Sequence, residues 1–304
     1  MRLPAARGPL SNFVIEHLRR APHKLPGLLA PADDPLRGDD FHLSLFCSFQ
    51  VQGRSFDDVA DLWQWNASLV DFRAGLERRF ETALGMSSDP AATSDAVPAV
   101  EGTTSQDRVH TPAAMLARSG SPEQLEELLR HRALIKATVA DTWPLLLPRT
   151  PSAGRSAIIR FGESVSDDAE DAVIDHLPGV SLARANVLWL LASNRSHGAA
   201  LAGALAVVES VAARADRELA VAARRLGQAD RALDLERSSQ QASQGKANEM
   251  AADLAADRMG AAAVAKGARW MLAVTRRWSS AALTGTPTRA AVEARAPGTP
   301  IRSA

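Results

Sequence analysis

The sequence predicts an all-α protein built as a bundle of packed helices, and three observations support this fold class. Alanine and other helix-forming residues dominate the 304-residue chain, whereas alternating runs of β-branched residues are scarce. Apolar residues between positions 56 and 84 recur at the spacing of an amphipathic helix. Between positions 176 and 213 they nearly encircle a helix, as expected for a helix buried in a core.

Residues 1–85 are predicted to form an N-terminal helical segment that packs on the bundle. Ser11 can cap a short helix over 11–20, and the proline- and glycine-rich residues that follow end this helix. Helical runs then continue from Asp39 to Leu84. This segment is therefore expected to add helices to the bundle rather than to form a separate sheet domain.

Residues 86–111 and 282–304 have compositions typical of chain without a packed core. The first stretch is rich in Ser, Thr, Ala and Pro and has few large apolar residues, and the second contains a PGTP run. We therefore predict a long disordered linker and a disordered C-terminal tail. Residues 112–281 remain as the helical bundle core.

The clearest helix start in the chain is at Ser121. Ser121 is a capping residue, Pro122 occupies the first helical position and Gln124 follows three residues after the cap. The helix is expected to end or bend before Pro144, because the residue preceding a proline disfavours the helical conformation. His131 stands between two arginines on this helix, and we expect it at the surface.

The long apolar stretch 176–213 is interpreted as a central core helix or a kinked pair of helices. Residues 194–197 interrupt the run, so neither half reaches the roughly 18–20 apolar residues that a bilayer span needs. Glu209 lies late in this stretch. A carboxylate buried in a core helix requires a partner, so Glu209 is a candidate site residue.

The remaining chain predicts two more helical regions. Acids and bases alternate at helical spacing after Ala213, which favours a charged helix interrupted at Gly227. The last region carries Trp270, Trp278 and several arginines. Such residues could contact a membrane surface or nucleic acid, but the small number of basic residues favours a solvated terminal helix.

Composition argues against several classes of function. The chain has 35 basic and 35 acidic residues, so no overall charge attracts nucleic acid or an anionic membrane, and we expect neither as a partner. The single cysteine, Cys47, excludes an internal disulfide framework and fits a reducing cytosol. The N-terminus has no unbroken apolar run of the kind found in signal peptides, and we expect a cytoplasmic protein. Nucleotide-binding, zinc-protease and serine-hydrolase motifs are absent.

Three blocks of sequence carry a resemblance to a known family. The first contains a W-x-W-N-x-x-L pattern from Trp63 to Leu69, the second runs from Lys136 through Thr142-Trp143 to Pro148-Arg149, and the third spans 177–227. Together the chain resembles the actinobacterial iron-containing redox enzyme family, within the haem-oxygenase-like di-iron oxidases. The resemblance implies a haem-oxygenase-like helical bundle whose carboxylates and imidazoles converge on two irons.

The resemblance also implies where metal ligands would stand, and this chain departs from the pattern at most of them. The family's ligand positions correspond here to Ala137, Glu163, Glu209, Ser239, Ser243 and Lys246. Alanine, serine and lysine are poor iron ligands. No histidine occurs between residues 198 and 304, so the last helices cannot supply an imidazole.

These departures predict a metal-ligand-depleted, non-catalytic homologue that binds no cofactor and acts as an interaction or regulatory protein with an unidentified protein partner. The alternative is an iron-dependent oxidase or oxygenase that binds iron differently, through Glu163, Glu209 and His176. A purely structural helical protein is a third possibility. For Lys246 two interpretations stay open: a buried ion pair with Glu209 that replaces the metal, or a solvent-facing side chain.

Overall fold

A computed structural model describes most of the chain and confirms the all-α class. The described residues are 2–26, 34–52, 56–87, 111–149, 174–242 and 245–283, and all regular secondary structure within them is helical. Most of the predicted linker 86–111, most of the predicted tail 282–304, and Glu163 lie outside the described residues.

Ten α-helices make up the described part of the chain. They are α1 (Pro9–Leu18), α2 (Asp39–Gln52), α3 (Ala67–Ser87), α4 (Pro112–Ser119), α5 (Pro122–Thr142), α6 (Gly179–Ser193), α7 (Gly198–Arg225), α8 (Ala229–Ala242), α9 (Lys246–Leu254) and α10 (Arg258–Leu283). Short 3-10 helices stand at Asp61–Trp65, Trp143–Arg149, Ile174–His176 and Arg195–His197.

The predicted start of α5 is confirmed in its details. The Ser121 hydroxyl oxygen accepts a hydrogen bond from the Gln124 N–H at 3.4 Å, and the Gln124 side-chain oxygen accepts one from the Ser121 N–H at 2.9 Å. This reciprocal pair satisfies two N–H groups that the helix itself leaves free. The α-helix ends at Thr142, two residues before Pro144.

The helices enclose two hydrophobic cores. The larger core is formed by α1, α2, α3, the second half of α5, α6, the first half of α7, α9 and α10, and nearly every residue of α2 and α6 is buried in it. The smaller core is formed by α4, α5, α8 and the second half of α7. The 28-residue α7 therefore passes from one core into the other.

The long apolar stretch folds as two helices, as one of its two interpretations predicted. The Asn194 side-chain oxygen accepts a hydrogen bond from the Ser196 N–H at 3.0 Å, which favours the short turn between α6 and α7. The expectation that neither half is long enough for a bilayer span was wrong, because α7 continues to Arg225. It has a mean hydropathy of 1.4 over an 18-residue window, but 67% of that window is buried within the protein.

Two adjacent acids at the start of α2 cap two other helices. Asp40 accepts hydrogen bonds from the Leu10 and Ser11 N–H groups of α1 at 2.8 and 2.6 Å. Asp39 accepts one from the Gly179 N–H at the start of α6. A carboxylate at a helix N-terminus is favoured both by its hydrogen bonds and by the helix dipole. These contacts fix α1 and α6 against the N-terminal end of α2.

Helices α7 and α10 approach each other closely through two glycines. A Cβ atom on Gly203 would lie 2.0 Å from the Val264 carbonyl oxygen, and one on Gly267 would lie 1.7 Å from the Ala200 carbonyl oxygen. Both distances are far below van der Waals contact, so only glycine fits at either position. The crossing of these two helices is thereby fixed by backbone contact on both sides.

Candidate functional site

A pocket of about 110 Å³ lies where the two cores meet. Its walls come from α4, α5, α6, α7, α8 and α10, and they are mainly aliphatic, with Ile135, Val139, Val208, Val211 and Leu219 among them. Charged and polar side chains stand among these apolar groups: Glu209, Arg184, Arg132, Lys136, Asp216 and Ser238. A mostly apolar pocket with a few convergent polar groups is the usual form of a small-molecule site.

Glu209 binds the amino terminus of α9. Its side chain is only 3% exposed, and Oε2 accepts hydrogen bonds from the Ala247 N–H at 2.9 Å and the Asn248 N–H at 3.3 Å. The cap residue of α9 is Gly245, which has no side chain to satisfy these donors and adopts a left-handed conformation with φ 69°. Oε1 of Glu209 has no hydrogen-bond partner among the described residues.

Burial dominates the electrostatics of Glu209. Loss of hydration raises the pKa of this carboxyl from 4.5 to about 7, and the negative charge of Glu249 acts in the same direction. The backbone N–H groups of Lys246, Ala247 and Asn248 oppose the shift without cancelling it. The carboxyl group is therefore close to half-protonated at neutral pH, and its free Oε1 can either donate or accept a hydrogen bond.

Arg184 brings a buried cation to the same pocket. It is 7% exposed, and burial lowers the pKa of the guanidinium to about 10, with no acid among the described residues acting against this shift. Its Nε atom has no hydrogen-bond partner in the described part of the chain. The guanidinium carbon lies 4.6 Å from the ring centroid of Trp278, a cation–π distance.

A second cation in the pocket is fully paired. Arg132 donates to Asp216 through Nε at 2.6 Å and through a terminal nitrogen at 3.1 Å, and Ser238 donates to the same carboxylate at 2.7 Å. Asp216 is 1% exposed. Because three hydrogen bonds hold this carboxylate, it is a structural anion rather than a free ligand group.

Of the predicted site residues that the structure describes, Glu209 lines the pocket, whereas Ala137, Ser239 and Lys246 are not among its lining residues. The Ser239 hydroxyl donates to the Ala213 carbonyl oxygen at 2.7 Å, so it joins α8 to α7. Glu163 and Ser243 lie outside the described residues.

The ion pair considered for Lys246 does not form with Glu209. Lys246 is the first residue of α9, and within the described chain the partners of Glu209 are backbone N–H groups, including that of Lys246. The physical reason is the turn at Gly245, which points the first turn of α9 at the carboxylate. The helix terminus, with its partial positive charge, takes the place that the prediction gave to the ammonium.

Two expectations about exposure were wrong. His131 is 2% exposed rather than at the surface, because its ring packs against α6 and its Nδ1 lies 2.5 Å from the Ser181 hydroxyl oxygen. The terminal helix is not simply solvated either, since Trp270 is buried and Trp278 lines the pocket. His176, the histidine of the alternative metal set, lies in the 3-10 helix before α6 and does not line the pocket.

The donors near Glu209 do not fit a di-iron centre. Oε2 of Glu209 is engaged by two backbone N–H groups, and Asp216 is engaged by Arg132 and Ser238. Within the described ranges no group of three His, Cys, Asp or Glu side chains is close enough to hold a metal ion. A di-iron centre needs several free carboxylates and imidazoles, which these residues do not provide.

Comparison of the chain with models of protein families, with curated proteins and with solved structures finds no match. The site is therefore interpreted from its own chemistry. Arg184 was not predicted as a site residue, although a basic residue within the apolar run LARANVLWLL was a usable signal. Arg132 and Asp216 could not be paired from the sequence, because they are 84 positions apart and meet only in the folded protein.

Replacing Glu209 by glutamine is expected to change how stability depends on pH. The folded-state pKa of about 7 exceeds the unfolded value of 4.5, so the folded protein binds the proton more tightly. The contribution of Glu209 is then fully present below pH 4.5 and is lost as the pH rises through 7. As the pH rises through this window, only the parent loses stability. The unfolding free energy of Glu209→Gln should therefore increase by on the order of 3 kcal/mol relative to that of the parent. Chemical denaturation at several pH values measures it.

The test compares the unfolding free energy of Glu209→Gln with that of the parent at each pH. Buried histidines such as His42 contribute equally to both proteins, so their contribution cancels in the difference. Burial lowers the pKa of His42 to about 3, so stability falls in acid for both proteins. Lys246→Met is the matched control, because only the backbone of Lys246 contacts Glu209. It should keep the parent's pH dependence. Parallel pH profiles for Glu209→Gln and the parent would contradict the assignment.

Proposed function

We propose that this chain is a non-catalytic, metal-ligand-depleted relative of the haem-oxygenase-like iron-containing redox enzymes. In this proposal it acts in the cytoplasm as a regulatory or interaction protein, and it binds a small molecule in the pocket beside Glu209. The proposal draws on the sequence resemblance, on the helical architecture and on the chemistry of the pocket.

The observation that carries the proposal is the contact between Glu209 and α9. The resemblance gives Glu209 the position of an iron ligand on the central helix, where a metal cation would balance the buried carboxylate. In this chain two backbone N–H groups of α9 bind the carboxylate instead. A helix N-terminus carries a partial positive charge, so it can stabilise a buried acid without a metal.

The pocket itself supports retention of a binding role. Lys136 and Ser238, which line it, are sequence neighbours of Ala137 and Ser239, two positions at which the resemblance implies lost ligands. In this proposal, loss of the metal ligands has left the neighbouring space without large apolar side chains to fill it. An open pocket with charged groups is costly in a purely structural protein and is expected where a ligand binds.

We expect the purified protein to contain substoichiometric iron and to consume no dioxygen. The measurement is metal analysis of protein expressed in iron-replete medium, followed by anaerobic reconstitution with ferrous iron. The control is Glu209→Gln, which should leave the iron content unchanged. Two irons per chain with the spectrum of a coupled centre, lost in Glu209→Gln, would overturn the proposal and support the alternative oxidase that uses Glu163, Glu209 and His176.

A further inference from the structure

We propose that the pocket binds a small monocarboxylic acid with a compact apolar body, and that the Arg184 guanidinium receives the carboxylate. This inference rests on the proposed function, because it assigns a ligand class to the pocket described above.

Arg184 is a buried cation with no anion beside it in the part of the chain that the structure describes. Among the described residues no acid lies within ion-pair distance of it, and its Nε donor is unsatisfied. The neighbouring Arg132 differs, since Asp216 neutralises it through two hydrogen bonds. Burying an unpaired charge is strongly unfavourable, so a ligand that supplies the missing anion gains the interaction that the protein leaves open.

The geometry around the guanidinium favours a carboxylate as its partner. Trp278 lies over one side of the group at 4.6 Å from the ring centroid, and its own indole N–H has no partner within the described chain. An aromatic ring on one face leaves the planar edge of the guanidinium for hydrogen bonds. Carboxylates match this edge in a two-point contact, which favours an acid over a neutral amide.

The volume and lining of the pocket set the size and polarity of the ligand. The pocket volume of about 110 Å³ is comparable to engineered apolar cavities of about 150 Å³ that hold benzene. An aromatic ring or a short branched chain fits this space, whereas a long alkyl chain does not. The aliphatic lining around Val208 and Val139 contacts such a body through the hydrophobic effect.

Isothermal titration of the full chain with five defined compounds tests the inference. Benzoate, para-hydroxybenzoate and isovalerate are expected to bind. Benzamide, the neutral analogue of benzoate, and decanoate, the long-chain acid, should bind at least about tenfold more weakly. Arg184→Gln should weaken benzoate binding by about tenfold or more and abolish the preference for acid over amide. Arg231→Gln, which alters an exposed ion pair with Glu126, is the matched control and should bind as the parent does.

Each of the other possible binding results also gives a definite answer about the ligand class. Equal binding of benzoate and benzamide, or unchanged binding in Arg184→Gln, would overturn the ligand class while leaving a small-molecule pocket in place. No binding of any compound would overturn the inference outright. If Arg184→Gln does not fold, the comparison of benzoate with benzamide on the parent protein decides the ligand class. The NMR resonance of the Trp278 indole N–H then reports whether the ligand occupies this pocket. The resonance is assigned from its absence in Trp278→Phe. Iron content measured on the same preparation separates failure of the inference from failure of the proposed function.

Discussion

Changing Asp216 to asparagine is expected to destabilise the protein by about 3–5 kcal/mol. The change removes the negative charge that Arg132 contacts through two nitrogens and weakens the acceptor that Ser238 uses. Arg132 would then keep its positive charge in a largely buried position without the Asp216 carboxylate. Equilibrium denaturation in urea measures the loss.

The matched control is Asp234→Asn on the same helix as Ser238. Asp234 forms an ion pair with Arg237 at 2.9 Å, but both side chains are exposed. Exposed pairs contribute little because water solvates both charges, so we expect a change within about 0.5 kcal/mol. The double variant Arg132→Met with Asp216→Asn should recover part of the loss, since it removes the buried positive charge together with the carboxylate. A loss no larger than that of the control would contradict the assigned role.

Gly267→Ala is expected to lower the free energy of unfolding by about 3 kcal/mol or more. The new Cβ would lie 1.7 Å from the Ala200 carbonyl oxygen, and a backbone atom cannot rotate away as a flexible side chain can. Helices α7 and α10 would have to separate, which disrupts packing along their whole crossing. Gly203→Ala should behave alike, because its Cβ meets the Val264 carbonyl oxygen. Thermal and chemical denaturation measure both variants.

Gly85→Ala is the matched control for these two substitutions. Gly85 lies near the end of α3, and a Cβ there would meet nothing within 4 Å. Alanine has the higher helix propensity, so this variant should gain about 0.5–1 kcal/mol instead of losing stability. Opposite signs at Gly85 and Gly267 would show that backbone contact, rather than helix propensity, decides the effect. A stable Gly267→Ala protein would disprove the close approach of α7 and α10.

The sequence predicted those features of the fold that depend on nearby residues. The Ser121 cap, the end of α5 before Pro144 and the break between α6 and α7 all follow from a few consecutive residues. Helical periodicity likewise predicted the fold class, which the structure confirms. Local signals of this kind can be identified in a sequence because the interactions that decide them lie within one turn of chain.

The partners of the candidate site could not be predicted in the same way. Glu209 was singled out correctly as a buried carboxylate, but its partner is a helix terminus 38 positions away rather than the Lys246 ammonium. Residue types suggest side-chain pairs and say nothing about where a backbone N–H will point. The exposure of His131 depended likewise on the rotation of α5 against α6, which is set by packing.

The passage of α7 through both cores has a consequence for cooperativity. The first half of this helix contributes Leu201 and Leu205 to the larger core, and the second half contributes Leu219 and Ala223 to the smaller one. Either core could unfold alone only if α7 broke near its middle, where Val208 and Glu209 are themselves packed. Breaking a helix inside packed surroundings exposes backbone groups and apolar surface together. The two cores are therefore coupled into one unfolding unit, and a ligand bound between them would stabilise both at once.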